Sequence, residues 1–558
     1  MMSSQVLSAT SIHRCLLIPE IVAFICNIIG EPISDEDPWE PSEDTNGPAQ
    51  RRDDVFETRT TLLSLAQSCH ALKEPALDVL WSNLGSLEPL VRCLPSRIWR
   101  RRPGYMHGPL VIERPLLTPD WQIFRGYARR VRSLTVLADQ SATVDQSFAS
   151  AIMGTSETTS LLPNLKYLYW KDQSGALPTL LRFLLNPRLV LLAVNCGTWH
   201  LAKEAVISSL GQLCPSLRYL DCRGWDLSEN DAARHGICSL QKITHLGAQS
   251  IDRRMLIHLS SLHSLSFLDG SLEDTHAPGE SSGSIITFSP KLADLYLSAS
   301  TFAACKNVLQ NMLFSPTLLA LFVFTLGPGS ISQHLPVILN SFTTSLTSVS
   351  ILIGDLATED LTDGRASVSF DDFAPLLPCK HLRELEVPSI CTSSIDDDTL
   401  TRMAKSWPEL TTLSFGAEEL WRTPPKITLS GLSSLLEHCP LLSSLSIFFT
   451  AHVPGELLCD PPKGCTVNEH LNKLCVGASP IVEPLKVAAF LSAILPNVKA
   501  IEWLQWEGEE DLDSEVWDYG PRWKQVEDSY ALFATVRQQG KNQAVAHTER
   551  HSDVQEVE

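Results

Sequence analysis

Pro163-Asn164-Leu165-Lys166-Tyr167-Leu168 sets the frame for the rest of the chain. The phrase Pro-x-Leu-x-x-Leu returns at Pro187/Leu189/Leu192, Pro215/Leu217/Leu220, Pro290/Leu292/Leu295, Pro316/Leu318/Leu321, Pro408/Leu410/Leu413 and Pro440/Leu442/Leu445, with a variant at Pro496/Val498/Ile501. Without its Pro it fills the gaps at Ile243/Leu246, Leu265/Leu268, Leu346/Val349, Leu382/Leu385 and Leu471/Leu474. Successive first apolar positions lie 22 to 36 residues apart, mostly 24 to 29, giving about thirteen units from 165 to 501 and a looser one at Val131/Leu134. Such self-similarity marks stacked repeats, each too small to bury its own apolar face.

Between the phrases lie helical stripes. Val206, Ile207, Leu210 and Leu213 recur at helical spacing, as do Leu432, Leu435 and Leu436, and Val487, Phe490, Leu491, Ile494 and Leu495. The Pro follows the stripe and stops the helix, because it lacks an N–H and clashes with the preceding turn. It can then open a strand. One unit therefore reads as helix, Pro stop, short strand and return loop.

This pattern resembles leucine-rich repeats, and Cys214, Cys379 and Cys439 match the Cys-x-x-Leu-x-x-Leu opening of a cysteine-containing subtype. The resemblance implies an α/β solenoid over 131–505, a horseshoe with one helix and one short parallel strand per repeat. By strand alternation, residues flanking the second Leu face the concave surface. That places Tyr167, Tyr169, Tyr219, Asp221, Asp269, Asp294, Tyr296, Glu384 and Glu386 where a protein substrate would bind.

Composition agrees with a large core: of 558 residues, 44% are apolar and 19% charged. The net charge of −20 disfavours nucleic acid and anionic membranes as partners. Fifteen scattered Cys with no Cys-x-x-Cys pair read as reduced thiols, without zinc-ligand spacing. This points to the cytoplasm, the nucleus or both. Pro19 and Glu20 lead directly into the apolar run 21–29, so no secretory leader is expected. No run reaches the roughly 18 apolar residues that span a bilayer.

Before residue 85 three short helical segments are expected. The first opens at Leu16-Leu17-Ile18-Pro19-Glu20-Ile21 and shows Leu17, Ile21, Phe24, Ile25 and Ile28 on one apolar face. The second carries Leu62, Leu65, Ala66 and Cys69; the third starts at Pro75 and carries Leu77, Leu80, Trp81 and Leu84. Between the first two, residues 31–58 hold ten acids, two arginines and four prolines, and read as a solvated loop.

In their order these residues resemble an F-box of the kind that precedes leucine-rich repeats in many fungal proteins. The resemblance implies a substrate-recognition subunit, itself not an enzyme and without cofactor or metal. Its partners would be a Skp-type adaptor, a cullin ubiquitin ligase and an unknown protein substrate. The adaptor would contact Leu17, Pro19, Ile21, Ile25, Leu62, Leu65, Ala66, Cys69, Pro75, Leu80 and Trp81. The alternative is a repeat scaffold with no ubiquitin role.

The expected order is a flexible 1–15, the helical module 16–85 with its insertion 31–58, a basic linker or cap at 86–130, the solenoid at 131–505 and an acidic to polar tail at 506–558, partly disordered after one helix near 527–537. The stretch 92–132 holds ten arginines and two acids, and reads as a linker pairing with the acidic loop rather than as a site for RNA or an import receptor. Gly279-Glu-Ser281-Ser-Gly283 matches a nucleophile elbow in spacing, but sits in a polar loop where the required strand-to-helix turn is not expected. His547 and His551 lack the intervening Glu of a zinc helix.

Overall fold

Each repeat turns on the residue before its Pro. Leu165 N–H donates to the Leu162 carbonyl at 3.1 Å, Leu189 to Asn186 at 3.1 Å, Leu217 to Cys214 at 3.1 Å, Leu410 to Trp407 at 3.2 Å and Leu442 to Cys439 at 3.2 Å. Pro occupies the second position of this turn, where its fixed φ suits the chain reversal. It does not open the strand, as the sequence suggested. The strands start four residues later, at Tyr167, Leu191, Tyr219, Thr412 and Ser444. The residue before the Pro is buried whether it is Leu162, Asn186, Cys214, Trp407 or Cys439. Polar occupants find backbone partners: Asn186 Nδ2 donates to Leu165 O at 3.1 Å, and Trp407 Nε1 to Leu376 O at 3.0 Å.

Burial raises the thiols at these turns. Cys214 and Cys439 are pushed up to about 12, as is Cys305 inside a helix. Because the thiolate is the reactive form, iodoacetamide at mildly alkaline pH is expected to spare these three in the folded chain. Exposed Cys69 is expected to react first among the described cysteines. Mass spectrometry of the alkylated chain, with and without denaturant, checks this.

The computed structural model describes residues 18–30, 48–102, 110–136, 146–153, 160–170, 177–194, 201–225, 227, 230–273, 285–355, 365–390, 392–417, 424–453, 465–504 and 519–555. Two units divide the chain, Met1–Ile243 and Thr244–Glu558. Leu17, Ser281 and residues 31–47 lie outside the described residues.

In the first unit a parallel sheet runs through β1 (Asn83–Leu84), β2 (Ser133–Val136), β3 (Tyr167–Trp170), β4 (Leu191–Val194) and β5 (Tyr219–Cys222). Leu134, Leu168, Leu192 and Leu220 are in register and buried.

In the second unit ten parallel strands follow: β6 (His245–Ile251), β7 (Phe267–Leu272), β8 (Asp294–Ala299), β9 (Leu318–Thr325), β10 (Ser348–Asp355), β11 (Glu384–Val387), β12 (Thr412–Phe415), β13 (Ser444–Ile447), β14 (Lys473–Cys475) and β15 (Ala500–Glu502). A buried ladder runs through Leu246, Leu268, Leu295, Leu319, Val349, Leu385, Leu413, Leu445, Leu474 and Ile501. The second apolar positions of the repeat phrase supply these rungs except at one unit. There the frame Leu318/Leu321 is corrected to Leu319, which pairs with Leu295 and Val349. A run of leucines at 318, 319 and 321 satisfies two frames, and pairing decides between them.

Four segments differ from expectation. A helix covers Pro48–Ser68, so the acidic loop 31–58 is helical in its last third. Pro48 suits a first turn, and no Gly or Pro follows before Pro75. The third helix spans His70–Leu80 and contains Pro75 instead of starting at it; Leu84 belongs to β1. The described residues of the basic 86–130 are folded, which corrects the linker half of the linker-or-cap expectation. They form a short helix Glu88–Arg92, an antiparallel hairpin of Trp99–Arg101 with Leu110–Ile112, and a helix Thr118–Ala128. Leu87, Leu90, Val91, Ile98, Leu110 and Phe124 are buried there, and local acids take the arginines: Glu88 bonds Arg92 and Arg101, and Asp120 bonds Arg114 at 2.8 Å. The tail is the last difference. A helix spans Tyr519–Gln555, and Trp523, Val526 and Tyr530 are buried.

Candidate functional site

Three helices form the N-terminal module: α1 (Pro19–Ile29), α2 (Pro48–Ser68) and α3 (His70–Leu80). Its small core is Val22, Cys26, Leu62 and Ala76, with Ile29, Leu65, Ala66, Leu72, Val79 and Leu80 packed against it. At the end of α1 the approach is too close for a side chain. A Cβ on Gly30 would lie 2.1 Å from Val79 Cγ1.

α1 is apolar nearly all round; Glu20 and Asn27 are its only polar residues. One side fills the core through Val22 and Cys26. The other shows Ile21, Phe24 and Ile28, with Ile18 just before the helix; Phe24 is 65% exposed and Ile28 62%. These positions fall at i, i+3 and i+7, a single stripe. Leu63 of α2 is also exposed. A short helix apolar on both sides, on a module this small, is suited to a partner on its outer side.

Of the eleven residues assigned to the adaptor, Leu17 lies outside the described residues, and the other ten separate in space. Pro19, Ile21 and Cys69 are exposed, and Ile25 is half-buried. Leu62 is buried, while Leu65, Ala66 and Leu80 pack on the module core. Pro75 is half-buried inside α3. Trp81 is half-buried, its ring centroid 4.7 Å from that of Tyr127. The inward group holds the module together. Phe24 and Ile28, read from the sequence as part of the apolar face of this helix but not assigned to the adaptor, are exposed, as are Ile18 and Leu63.

The module is joined to the repeats twice. First, the residues after α3 enter the sheet as β1, where Arg132 and Ser133 N–H donate to the Ser82 carbonyl at 2.8 and 2.9 Å. Second, Arg130, with its side chain 7% exposed, bonds the carboxylates of Glu74 and Asp78 on α3. Burial disfavours the guanidinium charge, but the Glu74 hydrogen bond and both carboxylate fields more than offset this and raise its pKa. Reciprocally, the hydrogen bond from Arg130, and then its charge, hold Glu74 below its ordinary value.

A depressed carboxylate pKa contributes stability above its unfolded value and loses it as pH falls through the folded one. Because Glu74 and Asp78 are mostly exposed, Arg130→Met is expected to cost only about 1 kcal/mol at neutral pH. The gap in melting temperature from the unmodified chain should close as pH falls below the ordinary glutamate pKa of about 4.3. A series of melts from neutral to acid pH checks this.

On both sheets, residues flanking the buried ladder face away from the helices. In the first unit one row is Ser133, Tyr167, Leu191 and Tyr219, and the next is Thr135, Tyr169, Ala193 and Asp221. Asp221 accepts two bonds from the Arg223 guanidinium, at 3.1 and 3.0 Å. In the second unit Asp294, Leu318, Ser348 and Glu384 share one row, and Asp269, Tyr296, Ala320, Ser350 and Glu386 the next. All nine residues assigned to the substrate face thus sit on these open faces, each half-buried or exposed. The same face also holds Phe267, Phe322, Phe324 and Leu352, which the leucine frame did not single out. For Phe322 and Phe324 the signal is Leu318–Phe324, apolar at every position and so apolar on both faces.

Among the described residues no helix is long and apolar enough to cross a membrane, and no group of His, Cys, Asp or Glu is placed to hold a metal ion. No protein-family model matches the sequence, and no curated protein matches it. Among solved structures the chain is similar to the leucine-rich repeat-containing protein LegL7 from Legionella pneumophila, at 13% identity and a TM-score of 0.27, over 60% of this chain and 96% of that one. The repeat architecture itself follows from the strand register: parallel strands, leucines in line and helices along one side.

Proposed function

We propose that the chain is a non-catalytic substrate-recognition subunit of a Skp–cullin–F-box ubiquitin ligase. In this reading the helical module binds the Skp-type adaptor, and the open faces of the repeats hold a protein substrate. The observation that carries it is α1, apolar on two sides, with only one side covered by its own module. The junction through β1 and Arg130 supports it, because a module that recruits a ligase must be fixed to the part that holds the substrate. A protein-interaction scaffold without a ubiquitin role is the second reading, favoured by the extent of open sheet face. Co-expression of the tagged chain with a Skp-type adaptor separates them. Stoichiometric retention of the adaptor and its cullin is expected, and a tagged chain that recovers neither contradicts the ligase reading.

A further inference from the structure

The open face of the second unit has an aromatic centre bracketed by carboxylates. On β9, Leu319, Leu321 and Val323 point into the core, which leaves Leu318, Ala320, Phe322 and Phe324 on the open side. Phe322 and Phe324 meet edge to face at 4.8 Å and 88°. They lie over Gly354 of the next strand. A Cβ there would come within 3.0 Å of the Phe324 carbonyl oxygen and 3.1 Å of Phe322 Cζ, so glycine makes room for the ring. Phe324 is 50% exposed, Leu352 38% and Tyr296 36%. Phe267 extends the patch, its ring 5.3 Å from that of Tyr296.

Asp269 and Asp294 lie on one side of this centre, on β7 and β8, and Glu384 and Glu386 on the other, on β11. In the two rows that flank the leucine ladder, the one Lys is Lys473, which is ion-paired with Glu502 at 3.2 Å. From β8 to β11 is three strand spacings, about 14 Å, which an extended chain covers in about four residues. An exposed apolar patch of this kind marks a protein contact, and the rim selects the charge of what docks there.

Resting on the reading that the repeats hold a protein partner, we infer that this face binds a segment with one or two bulky apolar side chains between basic residues about four positions apart. The apolar side chains settle on Phe322, Phe324 and Tyr296. The basic ones reach the aspartates on one side and the glutamates on the other. An acidic segment meets like charge at both rims, and so does a nucleic acid.

The test uses the full chain and short fluorescein-labelled peptides built on Arg-Phe-Ser-Leu-Arg, read by fluorescence anisotropy. Matched peptides carry Ser or Glu in place of both Arg, or Ser in place of both Phe and Leu. The last reports the general attraction of a chain of net charge −20 for any basic peptide. The Arg-flanked apolar peptide is expected to bind best. Phe322→Ser should weaken it about tenfold or more, since a central aromatic anchor is lost. The double variant Glu384→Gln, Glu386→Gln should weaken it several-fold and flatten its salt dependence. Gln can still accept the 2.7 Å hydrogen bond that Ser348 donates to Glu384, so this second variant keeps the local fold; circular dichroism checks both.

Equal binding of the peptide lacking Phe and Leu, or binding indifferent to Phe322→Ser, overturns the proposal. Preference for the Ser- or Glu-flanked peptide, still lost in Phe322→Ser, overturns the charge assignment while the face remains a binding face. No binding by any peptide, with the adaptor still retained, overturns this face and leaves the ligase reading standing.

Discussion

Phe24→Asp is expected to reduce adaptor binding by at least about 100-fold while leaving the melting temperature of the chain unchanged. Phe24 is the most exposed of the α1 stripe, 65% open, and is not a member of the module core. A central aromatic at an interface contributes about 2–4 kcal/mol, and a carboxylate at the same place adds an unpaired charge that must be desolvated. Ile28→Asp, 62% exposed in the same stripe, is expected to behave alike. Leu62→Asp is the contrast. Leu62 is 2% exposed, so a buried carboxylate there unfolds the module, and adaptor binding and helical signal fall together. Titration by calorimetry, with a melt of each variant, distinguishes the two patterns. Loss of binding in Leu62→Asp with full binding in Phe24→Asp would place the adaptor elsewhere.

The second large effect is on stability. Trp523→Ala is expected to cost about 3–5 kcal/mol in the last repeats, as the removal of a large buried aromatic does. Trp523 is fully buried, meets Phe449 edge to face at 6.1 Å, and donates its indole N–H to the Ser479 carbonyl at 2.7 Å. Nearby, Tyr530 donates to the Leu495 carbonyl and accepts from the Val498 N–H. The helix Tyr519–Gln555 therefore covers the end of the array, where a stack of repeats has no further neighbour. Hydrogen exchange in β14 and β15 should accelerate in Trp523→Ala before the strands of the first unit respond. Trp523→Phe keeps an aromatic ring but removes the indole N–H and part of the buried ring volume, and should cost less, about 2 kcal/mol. If Trp523→Ala melts like the unmodified chain, the helix is not a cap.

The ladder of leucines was legible because a repeating unit must place the same side chain in the same pocket each time. Where that rule is loose, reading stops. Leu318, Leu319 and Leu321 fit two frames, and hydrogen bonding to β8 and β10 selects between them. The module's outer face was hidden by its own apolarity. Ile21, Phe24, Ile25 and Ile28 read as one apolar face, but Val22 and Cys26 beside them are apolar too, and it is the fold that sends Val22 and Cys26 in and Ile21 and Phe24 out. Charge misled twice. In Pro48–Ser68 the arginines and Glu57 are also good helix formers. In Tyr519–Gln555 three buried anchors, Trp523, Val526 and Tyr530, at helical spacing dock a helix whose remaining residues are mostly polar. The basic 86–130 folds for a related reason: its arginines have local acids, as Asp120 shows, its carboxyl held below the usual range first by the Arg114 hydrogen bond.

The central claim is that the outer side of α1 is an adaptor surface. Hydrogen–deuterium exchange on the purified chain, alone and mixed with a purified Skp-type adaptor, tests it most directly. The account predicts a stable complex in which peptides covering 18–30 gain protection, with little change in the strands of the second unit. A chain that exchanges identically with and without the adaptor, or a complex that leaves 18–30 unprotected, contradicts it.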